Sequence, residues 1–330
     1  MNCMLYNIDQ CSAYIEKQLT ELGIDRKKPE NLYQPVSYVL ESGGKRIRPL
    51  LTLLSCNLFD DRIEQSIMPA MALEVFHNFT LLHDDVMDKA DIRRNRPTVH
   101  KKWSESTAIL SGDAMMILAY QYICTVDPAI LPPVLDIFSQ TAIEVCEGQQ
   151  YDMDFESRTD VSIDEYLMMI RLKTAVLLAA GLKIGALCGH AGPQDADTIY
   201  QFGISLGLTF QLQDDWLDVY SDPAVFGKAT GGDILSGKKT YLLLTAMEKS
   251  DTGTRQELVR LLDNTAIPPD EKISKVKDIY DSLQVGALTQ QAMESYYQQA
   301  MSHLEKIKLP DESRKDELKK LAVKLLKRDK

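Results

Sequence analysis

The chain has 330 residues, 45% of them hydrophobic and 26% charged, with a net charge of −11 at neutral pH. This balance suits a globular protein with a large core, and the acidic excess argues against nucleic acid as the main partner. A small anionic substrate is not excluded, because it responds to the local field rather than to the total charge. Cysteines stand at positions 3, 11, 56, 124, 146 and 188, with no Cys-x-x-Cys pair. That scatter predicts reduced, buried thiols rather than a disulfide frame or a zinc site. No signal-like segment opens the chain, and the most apolar run, Ala175 to Leu187, contains Lys183 and is too short for a membrane span. A soluble cytoplasmic protein is expected.

Apolar residues recur at three- and four-residue intervals almost throughout. They predict helices over roughly 7–22, 31–42, 46–59, 68–89, 104–125, 129–152, 162–191 and 195–221. After a loop, further helices are predicted near 238–249, 254–263, 270–283, 286–306 and 312–328. Breaks fall at Gly43-Gly44, Pro97, Pro128, Pro132-Pro133, Gly192-Pro193 and Pro268-Pro269. No alternating run predicts a strand, and no repeat or low-complexity linker marks a boundary. The expectation is one all-α domain over residues 1–330.

In chain order, the first motif is Gly43-Gly44-Lys45-Arg46-Ile47-Arg48-Pro49, between two predicted helices. Its glycines let backbone approach an anion, and Lys45, Arg46 and Arg48 supply fixed positive charge. His77 follows on the next helix, seven residues before Asp84 and on nearly the same face. Then come Asp84, Asp85 and Asp88, closing a long apolar run and followed by Arg93-Arg94. Asp84 and Asp88 lie one helical turn apart, about 6 Å along the axis, where like charges repel. A positive partner must justify them.

Gly148-Gln149-Gln150-Tyr151-Asp152 comes next, then Lys173-Thr174 inside a strongly apolar helix. A lysine there can snorkel, but the adjacent hydroxyl adds a second polar group at the same depth. The acidic spacing then returns in Phe210-Gln211-Leu212-Gln213-Asp214-Asp215-Trp216-Leu217-Asp218. One such triplet reads as a solvated helix face. Two copies, each behind an apolar run and beside basic residues, read as Mg²⁺ sites, because Mg²⁺ takes one or two carboxylates plus substrate phosphates. Two facing sets would hold a small cluster of Mg²⁺ around a diphosphate. The stretch Asp222 to Lys239 nearly imitates a nucleotide-binding P-loop, but Lys239 stands where Ser or Thr is needed and no strand precedes it. It reads instead as a glycine-hinged basic lid.

Together these motifs resemble those of the trans-isoprenyl diphosphate synthases, the polyprenyl synthetase family. The resemblance runs from about Gly43 to Thr240: Gly43 to Pro49 looks like the GGKRxRP motif, and Asp84 to Arg94 like the first aspartate-rich motif, DDxxD-x4-RR. Gly148-Gln149 with Asp152, Lys173-Thr174, Phe210 to Asp218 and Gly227-Lys228 match further segments. One departure is Asn95, where a glycine usually follows the two arginines. The last ninety or so residues match only in being helical.

The resemblance implies an all-α helical bundle around a central apolar cavity, and a homodimer. It implies a Mg²⁺-dependent prenyltransferase of isoprenoid biosynthesis, with Mg²⁺ on Asp84, Asp88, Asp214 and Asp218, and Asp85 and Asp215 in support. Isopentenyl diphosphate would be held by Lys45, Arg48, His77 and Arg94. The allylic diphosphate would be held by Arg93, Lys173, Thr174, Gln211, Lys228 and Lys238. Departure of diphosphate leaves an allylic carbocation that the double bond of isopentenyl diphosphate attacks, and the family picture returns the lost proton to the departing diphosphate. A terpene cyclase would not need the second anion pocket. A non-catalytic subunit would be expected to lose one aspartate motif, and a diphosphate hydrolase would have no use for an apolar cavity.

Product length is read below Asp84. Thr80 lies one turn below it, Phe79 about 7.5 Å below and Phe76 two turns below. In the family an aromatic residue five positions before the first aspartate marks short-chain enzymes, and a second at four positions favours C15. Phe79 with the small Thr80 points to C20, geranylgeranyl diphosphate, with C15 second.

Overall fold

The computed structural model describes residues 5–221 and 230–326. Helices cover Ile8–Glu21, Glu30–Leu40, Ile47–Phe59, Ile67–Met87, Glu105–Ile123, Leu131–Ser157 and Ile163–Ile170, then Val176–Cys188 and Pro193–Tyr220. After the loop come Tyr241–Lys249, Thr252–Asp263, Pro269–Ser282, Val285–Lys306 and Asp316–Leu326. Each replaces a segment of helical periodicity, with ends displaced by a few residues. No helix among the described residues is long and apolar enough to cross a membrane.

The chain forms two compact units. The first comprises the chain up to Gln140 with Ala180–Tyr200 and Ile307–Leu318. Its central helix is Ile67–Met87, buried around most of its circumference, as a core helix with little amphipathic character should be. The Ile47–Phe59 helix supplies Leu50, Leu51, Leu53, Leu54 and Leu58 to the same core. Close approach within this unit depends on Gly185, where a Cβ would meet the Thr52 backbone, so that Ser55 Oγ can donate to the Leu182 carbonyl at 2.6 Å. The returning C-terminal segment is tied down by polar contacts: Arg314 donates to the Asn57 carbonyl at 2.6 Å, and Glu317 accepts from the Ile8 N–H at 2.9 Å.

The second unit comprises Thr141–Ala179, Gln201–Lys306 and the chain from Lys319. Its core gathers Val219, Ile234, Leu242, Leu243, Ala246, Leu258, Leu261, Val276, Tyr280 and Val285. Local signals set its helix starts: Ser162 and Glu165 form a capping box, and Thr240 and Asp251 cap the Tyr241–Lys249 and Thr252–Asp263 helices.

Three details depart from the sequence reading. The predicted helix over 162–191 is interrupted by a π-helical turn at Arg171–Ala175. A short antiparallel ribbon pairs Ile92–Arg93 with Arg96–Pro97, too brief to leave an alternating pattern. Its turn holds Arg94 and Asn95 at φ 50° and 60°, the left-handed pair of a type I′ hairpin. Asn is among the few side chains that accept this conformation, which accounts for its standing in for the family's glycine. Finally, of the five described cysteines only Cys11, Cys56 and Cys188 are buried; Cys124 and Cys146 lie on solvent-facing sides of their helices. All five are free, and burial pushes the Cys11 and Cys188 thiols up to about 12 and that of Cys56 to about 11.

Candidate active site

In the first unit, the basic turn and the two arginines come together. Arg94 donates from Nη1 to the Gly43 carbonyl and to Ser42 Oγ, the latter at 3.2 Å. Its guanidinium lies so close to Gly44 that a Cβ there would stand 2.9 Å from Nη2. Gly43 and Gly44 have φ 79° and 131°, so the turn needs both glycines for its backbone and the second also for this contact. Lys45 projects to solvent beside them, and Arg48 opens the next helix.

Arg46 behaves differently from its neighbours. Its backbone is left-handed, its side chain is buried, and its guanidinium pairs with the buried Glu74 at 2.7 Å and with Glu16 at 3.1 Å. Its charge is therefore spent inside the protein, so of the three fixed charges in this turn that of Arg46 is structural. His77 lies in the field of Arg48, Arg94, Arg93 and Arg46; burial first, and then these cations, hold its imidazole well below its ordinary pKa. It stays neutral, able to donate one hydrogen bond and accept another.

Asp84 and Asp85 sit in the last turn of Ile67–Met87, and Asp88 is the helix C-cap, still in α conformation, so the one-turn spacing holds. Arg93 reaches back to this motif, donating from Nε to Asp85 at 2.6 Å and lying 3.6 Å from Asp84. Asp85 is 5% exposed; burial raises its pKa and Arg93 opposes that shift. Phe76 and Phe79 are buried on the same helix, and Thr80 turns its hydroxyl back to the His77 carbonyl at 2.8 Å.

In the second unit, Lys173 does not snorkel. It lies in the π-helical turn and donates to Asp152 at 2.5 Å. The turn comes so close to the Leu131–Ser157 helix that a Cβ at Gly148 would stand 2.7 Å from the Lys173 Cα, which is why that helix carries glycine there. π-Helical turns are rare and concentrate at functional sites. Thr174 donates to Gln211 at 3.1 Å, and Gln211 in turn to Asp215 at 3.2 Å. Asp215 also accepts from the Tyr166 hydroxyl. Burial, then the charge of Asp233, pushes Asp215 up to about 7. Asp218 accepts from the Asp233 N–H at 3.0 Å, at the start of a short helix flanked by the left-handed Gly231 and Gly237. Lys238 lies within electrostatic reach of both Asp215 and Asp233. Lys228, and Gly227 with it, fall outside the described residues.

Four residues of this arrangement were missed in the sequence. Tyr166 carries no signal, since a tyrosine in an apolar helix reads as core. Glu74 gave a weak one, as a carboxylate amid a fully apolar helix, and Asn78 beside it another. Asp233 was visible only as part of a glycine-rich loop. In the structure Asp233 lies among carboxylates: burial raises it to about 6 against the pull of Lys238, with Asp218, Asp152 and Asp214 adding repulsion. Among the described residues no three His, Cys, Asp or Glu side chains gather where they could hold a metal ion. Paired carboxylates that leave further ligand positions to water and phosphate fit Mg²⁺ rather than a closed protein site.

The polyprenyl synthetase family model matches residues 29–283. A geranylgeranyl diphosphate synthase of Methanosarcina mazei is 41% identical over 240 residues, covering 72% of this chain and 74% of its own. A short chain isoprenyl diphosphate synthase of Methanocaldococcus jannaschii is 39% identical over 266 residues, covering 80% of this chain and 81% of its own. A crystal structure of a geranylgeranyl pyrophosphate synthase superposes with a TM-score of 0.92 at 43% identity, over 97% of this chain and 98% of that one. Motifs, all-α fold and relatives agree: the chain belongs to the polyprenyl synthetase family, the trans-prenyltransferases that build isoprenyl diphosphates.

Proposed function

We propose that this chain condenses isopentenyl diphosphate with an allylic diphosphate, one five-carbon unit at a time, and releases C20 geranylgeranyl diphosphate as its main product. The observation that carries this reading is the separate anion cradle of the first unit. There Arg94 lies over Gly43-Gly44 beside a neutral His77, apart from the aspartate motif at the helix end. An enzyme that only ionised one diphosphate would not need it.

In this reading Lys45, Arg48, His77 and Arg94 hold isopentenyl diphosphate. Arg93, Lys173, Thr174, Gln211, Lys228 and Lys238 hold the allylic diphosphate. Asp84, Asp88, Asp214 and Asp218 hold Mg²⁺, with Asp85 and Asp215 in support. Bound Mg²⁺ supplies the positive charge that makes diphosphate a competent leaving group. The arginines and lysines add fixed charge where the leaving group develops its own, at no cost in reorganisation. Carbon–oxygen cleavage leaves an allylic carbocation, the isopentenyl double bond attacks it, and the proton lost from the adduct passes to the departing diphosphate.

Phe79 is the floor that ends elongation, and Thr80 leaves room past itself. Names of the relatives support C20. One synthase domain over 1–330 is part of this reading, and the family match over residues 29–283, which draws on both units, supports it for that span. The active species is a homodimer in the cytoplasm. Supporting the dimer, Ile109, Leu110 and Ile117 on the Glu105–Ile123 helix are 43%, 59% and 58% exposed, an apolar face for a second copy to cover.

The test is incubation with Mg²⁺, isopentenyl diphosphate and dimethylallyl, geranyl or farnesyl diphosphate, followed by mass analysis. A C20 product is expected from each acceptor. No elongation with any of them overturns the synthase reading, and a main product of C30 or longer overturns the floor.

A further inference from the structure

A floor can stop a hydrocarbon chain only if its ring cannot swing aside. On the Ile67–Met87 helix, Phe76, Phe79 and His83 form a stripe with steps of three and four residues. Their rings touch in order. Phe76 and Phe79 have centroids 5.4 Å apart, and Phe79 and His83 meet edge-on at 4.8 Å. Below, Phe76 is locked by Phe138 at 5.4 Å, which itself packs on Tyr120 at 4.9 Å. Above, toward Asp84, the ring contact of Phe79 is with His83.

His83 is held by the neighbouring Glu105–Ile123 helix, where its Nε2 lies 3.1 Å from the Ile109 carbonyl. A carbonyl only accepts, so this contact requires the proton on Nε2. The seat exists because residue 112 is glycine. A Cβ built there would overlap the imidazole, 2.5 Å from Cδ2 and 3.1 Å from Cε1. Glycine weakens a helix interior, so its presence at this position is explained by what it admits.

We propose that Gly112 and His83 are specificity-determining residues for product length: the glycine seats the imidazole, and the imidazole holds the Phe79 ring where it stops the growing chain. The inference rests on the reading of Phe79 as the floor. Neither residue touches a reacting atom in this scheme.

The experiment compares product lengths, by mass analysis, for the full chain and for Phe79→Ala, His83→Ala, Gly112→Ala and the double variant His83→Ala/Gly112→Ala. Phe79→Ala and His83→Ala should each shift the main product upward by at least one five-carbon unit. Gly112→Ala drives the ring from its seat and should shift the product the same way. In the double variant the added methyl occupies space the ring has left, so product length should match that of His83→Ala alone. Where Gly112→Ala fails to fold, the double variant should recover soluble protein. A lengthened product with Phe79→Ala but not with His83→Ala overturns this proposal and leaves the floor standing. An unchanged product with Phe79→Ala overturns the floor and the proposal together. A double variant that is insoluble, or that shifts further than His83→Ala, shows that Gly112 does not act through the imidazole.

Discussion

The guanidinium of Arg46 meets the carboxylate of Glu74 at 2.7 Å, with 6% and 3% of the two side chains exposed. Arg46 also donates to the Leu40 carbonyl at 2.5 Å, and Asn78 donates to the same Glu74 carboxylate at 2.9 Å. The pair thus ties the basic turn of the first unit to the helix that carries His77, Phe79 and Asp84. It positions cations without being one of them.

Glu74→Gln would leave the buried guanidinium with only the solvent-exposed Glu16 as counter-charge, and breaking a buried pair costs roughly 3–5 kcal/mol. Urea denaturation should register that loss. Because Lys45 and Arg48 flank Arg46, the KM for isopentenyl diphosphate should rise more than the KM for the allylic substrate. Equal changes in both would remove the positioning role.

The aspartate motifs should respond in the opposite sense. Asp84→Asn and Asp214→Asn retain side-chain volume, so thermal midpoints should stay close to that of the parent. Turnover should fall by roughly 10²–10³, the range for losing one preorganised charge contact to a transition state. Two folded variants with near-normal turnover would refute the metal assignment.

The two anion pockets should separate in steady-state kinetics. Lys45→Ala or Arg48→Ala should mainly raise the KM for isopentenyl diphosphate. Arg93→Ala should mainly affect the allylic substrate, and it removes the Nε donor that holds Asp85 at 2.6 Å. Varying each substrate in turn checks the assignment, and exchanged effects would reverse it.

His77 gives a signed pH dependence. Its folded pKa is depressed by burial and by Arg48, Arg94, Arg93 and Arg46, so the unfolded chain takes up a proton below about 6.5 that the native protein refuses. The associated stability is present above that pH and is lost as pH falls toward the folded value. His77→Gln should therefore lose less stability than the parent between pH 7 and pH 5, about 1 kcal/mol less for each unit of pH in the window. Proton NMR should show the His77 imidazole not titrating in that range. A His77 midpoint near its ordinary value would contradict the cationic cradle.

Helices, both aspartate motifs and the basic turn were legible because each is written in neighbouring residues. The three-and-four periodicity of apolar side chains names a helix regardless of what it packs on. The i, i+1, i+4 carboxylates declare their own repulsion at 84–88 and again at 214–218. Asn95 was legible as a departure, but its reason was not: only the backbone of the Arg94-Asn95 turn shows a left-handed position that asparagine tolerates.

The sequence by itself therefore determined the family, the all-α class and which charges to examine, since these follow from local spacing. Only the tertiary structure decided what each charge does. Arg46 and Glu74 stand 28 residues apart and Tyr166 and Asp215 stand 49 apart, so no periodicity links them. Burial then made one arginine of the basic turn structural and kept His77 neutral. It also drew Asp233 into the second acidic cluster and brought Lys173 to Asp152 through a π-helical turn. Pairing and desolvation depend on which surfaces meet, and that is settled by packing across the chain rather than along it.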